Sequence, residues 1–130
     1  MKTVMGAPLP RNASGAGLPP IDAFGDGGFR IAGVRKDGAT LIVDGAARAW
    51  SMTGDTLELA DLQIFLNAAT RPDMLILGVG ERLVHPPASI RKAFREAGVG
   101  LEVMDTATAC RTYNLLAGEG RNVAAALIPV

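Results

Sequence analysis

The sequence has one cysteine, Cys110, one histidine, His85, and no net charge, since 13 Lys and Arg balance 13 Asp and Glu. A single cysteine excludes an intramolecular disulfide framework and a Cys-rich zinc site. A single histidine excludes a His-rich metal site. Zero formal charge argues against a broad basic face of the kind that holds nucleic acid. No apolar run approaches the about 18 residues that a membrane-spanning helix needs. None of signal-peptide length follows Lys2, because Pro8, Pro10, Pro19 and Pro20 break the segment. These absences predict a reduced, cytoplasmic protein with no metal, no cofactor and no direct membrane insertion.

What is present is apolar. Of the 130 residues 48% are hydrophobic and 20% charged, too much burial capacity for a disordered chain and enough length for one core. Residues 1–20, dominated by Gly, Pro, Ala and Ser, predict a flexible N-terminal arm. Residues 21–130 predict a single α/β domain.

Phe29 and Ile31 alternate with Arg30 and Ala32, which is strand periodicity. Lys36-Asp37-Gly38 reads as a turn and Thr40-Leu41-Ile42-Val43 as the returning strand, so an antiparallel hairpin is expected here. A further short strand is expected near 47–50. Trp50 reads as a packing residue of the core or rim, with ligand stacking as the alternative. From Thr56 the period changes. Leu57, Leu59, Leu62, Phe65 and Leu66 predict a helix over about 60–69, with Asp61 at its positive end. Asp73 to Gly78 is a continuous apolar run typical of a parallel strand buried on both faces. Pro86-Pro87 starts a helix whose buried stripe is Ile90, Ala93, Phe94 and Ala97, closed by Gly98. Leu101–Met104 is a strand, Asp105-Thr106 caps a helix over about 107–117, and Val123 to Ile128 is a final strand. The alternation of strand and helix predicts one mainly parallel sheet.

Gly78-Val79-Gly80 follows a buried strand, but it does not open directly into a helix as a dinucleotide-binding turn would. It reads as a strand exit where only glycine fits, through positive φ or a crowded Cβ position. His85 sits at a strand's C-terminal end, where open α/β sheets place ligands, yet no acidic partner lies nearby to orient it as a base. It reads as a loop residue. Cys110 lies one turn into its helix beside Arg111, a setting that lowers a thiol pKa if the sulfur reaches solvent. The helix must also cover a sheet face. A stripe of Ala107, Cys110, Asn114 and Leu115 is expected to bury the sulfur against the sheet. Arg111, Asn114, Glu119 and Arg121 form either a polar network tying helix to final strand or an anion site.

Phe29-Arg30-Ile31, Trp50 and the run from Asp73 to Gly80 carry a resemblance. So do the block from Met104 through Asn114-Leu115-Leu116 and Glu119-Gly120-Arg121 followed by Val123–Leu127. Over about residues 20–129 the chain resembles a family of small uncharacterised bacterial and archaeal proteins that includes mitochondrial complex I assembly factor 3. The resemblance implies a three-layer α/β fold around a central mixed sheet, with an N-terminal antiparallel hairpin as an extra β layer. It brings no agreed reaction and no established catalytic residue. The mitochondrial relative is a non-catalytic assembly factor that acts with a partner protein at the inner membrane. The chain has no recognisable mitochondrial targeting extension, so a bacterial cytoplasmic setting is expected.

Two function classes follow. The first is a non-catalytic binding or assembly module for a larger, membrane-associated complex, with a protein partner and no nucleic acid; homo-oligomerisation is left open. The second is a small-molecule binder or enzyme with a polar pocket at the strand ends, formed by Gly78, Gly80, Asp105, Thr106, Cys110, Arg111, Asn114 and Glu119.

Overall fold

The structure, a computed structural model, describes residues 17–52 and 56–130. Positions 1–16 of the expected arm lie outside the described residues. Three short strands come first: β1 (Ile21–Gly25), β2 (Gly28–Ile31) and β3 (Val34–Asp37). They form an antiparallel three-stranded sheet in sequence order. Two-residue turns join them at Asp26-Gly27 and Ala32-Gly33, with φ of 54° and 76° and of 49° and 81°. Two successive residues at positive φ are the mark of type I′ turns, whose twist matches that of the flanking strands.

This corrects the expected hairpin. The chain reverses at Ala32-Gly33, before Lys36-Asp37-Gly38 is reached, and Lys36 and Asp37 belong to β3. Gly38, at φ 79°, carries the chain into a second sheet instead. There β4 (Thr40–Val43) pairs with β5 (Ala46–Ala49) across Asp44-Gly45, a third turn with both φ positive.

After β5 come α1 (Leu59–Leu66), β6 (Met74–Gly78), α2 (Ala88–Ala97), β7 (Gly100–Met104), α3 (Thr106–Gly118) and β8 (Val123–Leu127). The second sheet has the order β5-β4-β8-β6-β7. β8, β6 and β7 are mutually parallel, while β4 is antiparallel to both β5 and β8. The sheet is therefore mixed in equal parts, because the early hairpin supplies two of its five strands. The last strand, β8, lies at its centre and is buried throughout.

Period-two alternation divides the core into two faces. Leu41, Val43, Leu75, Leu77, Ala124 and Ala126 pack against α1 and α2, with Phe65, Ile90 and Phe94 fully buried there. Ile42, Ile76, Ala125 and Leu127 pack against α3 and the three-stranded sheet, where Phe29 and Tyr113 are fully buried. The layers are thus two helices, the five-stranded sheet, and a mixed layer of one helix and three strands. Trp50 is buried, and its ring N–H donates to the Asp61 carbonyl at 3.0 Å, holding the end of β5 to α1.

The buried face of α3 is Thr106, Ala109, Cys110 and Tyr113. Leu115 does not belong to it, being 59% exposed. It follows Cys110 by five residues and is rotated from it by about 140° around the helix.

Candidate functional site

The C-terminal ends of β6, β7 and β8 meet the start of α3. Gly78 ends β6 directly beneath that helix. A Cβ added there would lie 3.0 Å from Ala109 Cβ and 3.1 Å from both Leu127 Cδ2 and Thr106 Cα. Only glycine lets the helix approach the strand this closely. Gly80 has φ 101°. The two positions need glycine for different reasons, one for space and the other for backbone conformation.

Thr106 is fully buried at the first position of α3. Its hydroxyl donates to the Ile128 carbonyl at 2.6 Å and accepts from the Gly80 N–H at 2.9 Å. Its own N–H donates to the Gly80 carbonyl at 2.8 Å. The Val79 N–H donates to the Met104 carbonyl and the Ile128 N–H to the Gly78 carbonyl. The exits of all three parallel strands are thereby bonded to one another and to the helix start.

Asp105 is the N-cap of α3. Its carboxylate accepts from the Thr108 N–H at 2.8 Å and the Thr108 hydroxyl at 2.9 Å. The backbone bond first, and then the hydroxyl bond, hold the Asp105 carboxyl below its ordinary range, while slight desolvation opposes them and the Arg111 charge assists weakly.

Cys110 lies one turn further on and is 2% exposed. Burial pushes its thiol up to about 12, against a smaller opposing pull from Arg111. The sulfur is protonated at neutral pH and is a poor nucleophile, since the thiolate is the reactive form.

Asn114 turns to the other β layer. The Ile21 N–H donates to Asn114 Oδ1 at 2.9 Å, and Asn114 Nδ2 donates to the Ile21 carbonyl at 2.8 Å. The Tyr113 hydroxyl donates to the Pro19 carbonyl at 2.9 Å. Together they clamp residues 19–21 onto α3. The network expected over Arg111, Asn114, Glu119 and Arg121 does not form. Asn114 is used by β1, and the other three residues are exposed. His85 is exposed in the loop before α2, with Nδ1 3.5 Å from a guanidinium nitrogen of Arg91.

Of the eight expected pocket residues, Gly78, Gly80, Asp105 and Thr106 meet at one junction. Cys110 and Asn114 sit along α3, the first facing the core and the second facing β1. Arg111 and Glu119 lie on its exposed side. Among the described residues, no three His, Cys, Asp or Glu side chains come together as metal ligands would, and no helix is long and apolar enough to cross a membrane. Sequence reasoning missed the Thr106 hydroxyl as the closing group. Its partners are 22 and 26 residues away in the chain, and its only local signal is a Thr next to the N-cap.

An uncharacterised protein of Rhodobacter capsulatus is 40% identical over 121 residues, covering 93% of this chain and 93% of that one. NADH dehydrogenase [ubiquinone] 1 alpha subcomplex assembly factor 3 of Xenopus tropicalis is 36% identical over 110 residues and 84% of this chain. The match spans 60% of that assembly factor's length. Among solved structures, one described as an outer membrane protein from Bartonella henselae superimposes with a TM-score of 0.80 at 33% identity, covering 87% of this chain and 96% of that one. A family described as "Protein of unknown function (DUF498/DUF598)" matches residues 21–128, from the first residue of β1 to just beyond β8, and the chain belongs to that family.

Proposed function

We propose that the protein is a non-catalytic binding and assembly module that works with a protein partner, from the cytoplasmic side, in building a larger membrane-associated complex. The observation that carries this reading is the 36% identity to a complex I assembly factor over 84% of the chain. The family match over residues 21–128 takes in both sheets and all three helices. The geometry at the strand ends supports it. Thr106, Gly80 and Ile128 direct their polar groups at one another, and the Cys110 sulfur is directed into the core. These are the groups that a pocket-based enzyme would need to present to a substrate.

The test is capture of the full-length tagged chain from its native cell after gentle detergent extraction, paired with a deletion strain. Defined protein partners in near-stoichiometric amounts, together with less assembled NADH:ubiquinone oxidoreductase on native gels of the deletion strain, are expected. Recovery of the bare chain from such extracts, with normal assembly in its absence, would overturn the reading. A small molecule retained through purification in native mass spectra would favour the pocket reading instead.

A further inference from the structure

Between β6 and α2, residues 81–85 are exposed without interruption. Two of them are aliphatic neighbours, Leu83 at 54% and Val84 at 62% exposure. Side by side at the end of the loop, they form a small exposed apolar patch. They are followed by Pro86, which is buried, and Pro87, the N-cap of α2. The two fixed φ angles give the pair a stiff base.

Cations outnumber carboxylates around this tip. From Arg82 to Arg95 the chain carries Arg82, Arg91, Lys92, Arg95 and His85 and no carboxylate, with Glu81 and Glu96 just outside each end. Ile90 and Phe94 anchor α2 in the core. Arg91 and Arg95, one turn apart, therefore share a flank of the helix, and Lys92 lies beside them on its outer side. The 3.5 Å approach of His85 to Arg91 places the loop against that same flank. Because the whole chain has no net charge, this is a local positive surface and not the expression of a basic protein.

We propose that the 82–95 surface docks on an anionic lipid bilayer, with Leu83 and Val84 entering the interface and Arg82, Arg91, Lys92 and Arg95 lying over the headgroup phosphates. An apolar tip with cations along one flank is complementary to a layer that is apolar below and negative above. The proposal goes beyond the assembly reading. A module can bind its partner and ignore lipid, so capture and vesicle binding fail separately.

The test is flotation of the full chain with vesicles of phosphatidylglycerol and phosphatidylcholine in equal parts, against vesicles of phosphatidylcholine alone. Binding to the anionic vesicles at about 0.05 M salt is expected, weakened about tenfold or more at about 0.5 M salt. Leu83→Ser/Val84→Ser and Lys92→Glu/Arg95→Glu should each lose about tenfold or more. All four positions are exposed, and circular dichroism checks that these variants fold. Arg121→Glu, an exposed cation outside the surface, should stay within about threefold of wild type. No preference for anionic vesicles, binding that survives loss of the aliphatic pair, or an equal loss in Arg121→Glu would each overturn the proposal.

Discussion

Thr106 and Gly78 show how single groups close the junction of α3 with the sheet. Thr106→Val keeps the shape of the side chain and removes its hydroxyl. The Gly80 N–H and the Ile128 carbonyl then lose their partner. An orphaned group costs about 1–3 kcal/mol when buried and less when part-buried, as at Ile128, so Thr106→Val should destabilise by about 2–4 kcal/mol. Thr106→Ser keeps the hydroxyl and loses one methyl, and should cost about 1 kcal/mol. Urea unfolding separates the two, and equal midpoints for Val and Ser would mean that the hydroxyl bonds contribute nothing. Gly78→Ala tests space alone, because its φ lies outside the left-handed region. The added methyl would meet Thr106 Cα at 3.1 Å, and a helix backbone cannot step aside as a flexible side chain can. A loss of about 1–3 kcal/mol is expected, read as a shift in midpoint at constant m-value. Unchanged melting would show that α3 moves away freely.

At the scale of elements, the three hairpin turns are not equally well chosen by the sequence. Asp26-Gly27 and Asp44-Gly45 carry residue types that accept positive φ. Ala32 does not, yet it sits at φ 49°, and the left-handed region costs an L-residue with Cβ about 1 kcal/mol or more. Ala32 is exposed, and its N–H bond to the Pro20 carbonyl survives any substitution but proline. Ala32→Asn should therefore stabilise by about 0.5–1 kcal/mol and raise Tm by a few degrees. A lower Tm would mean that the turn does not depend on that conformation. The same element marks where the sequence stopped being legible. The order from α1 to β8 could be read because runs such as Met74–Gly78 and stripes such as Ile90 with Phe94 span a full period, and Asp105 and Gly98 mark helix ends. Strands of four or five residues offer barely two periods. Their pairing was decided by turns, one of which, Ala32-Gly33, carries no asparagine or aspartate signal. The central place of β8, the bond from Thr106 to Ile128 and the clamp of Asn114 on Ile21 join residues 22 to 93 positions apart, and no local pattern encodes such pairs. Gly78 and Cys110 were legible because steric need and burial preference are properties of the residue itself.

For the whole molecule, burial of the one thiol makes stability depend on pH in a direction that separates architecture from chemistry. In the unfolded chain the Cys110 thiol titrates near its ordinary value of 9.0, whereas in the fold burial pushes it up to about 12. The folded state therefore holds the proton more tightly. The resulting stability is fully present below about pH 9 and is lost progressively as pH rises towards 12. Asp105 acts on the acid side with the opposite sign. Its carboxyl is held below its ordinary value of 3.8, so its contribution is present above about pH 4 and disappears as pH falls through the lowered value. Other groups also titrate at high pH, and a comparison with Cys110→Ala isolates the thiol. At neutral pH the variant should be less stable by about 1 kcal/mol or more through lost packing. Between pH 8 and 10 the wild type alone loses the protonation contribution, so the gap should narrow by about 1–2 kcal/mol. Labelling by a thiol reagent on the native protein at neutral pH should be slow until denaturant is added. A reactive, low-pKa cysteine reverses both signs. The folded state would then release its proton more readily than the unfolded chain, raising pH through the thiol's range would widen the gap between wild type and Cys110→Ala, and native labelling would be fast. Denaturant titrations of the two proteins at pH 8 and pH 10 decide between these outcomes, and a widening gap would return Cys110 to the position of a candidate nucleophile.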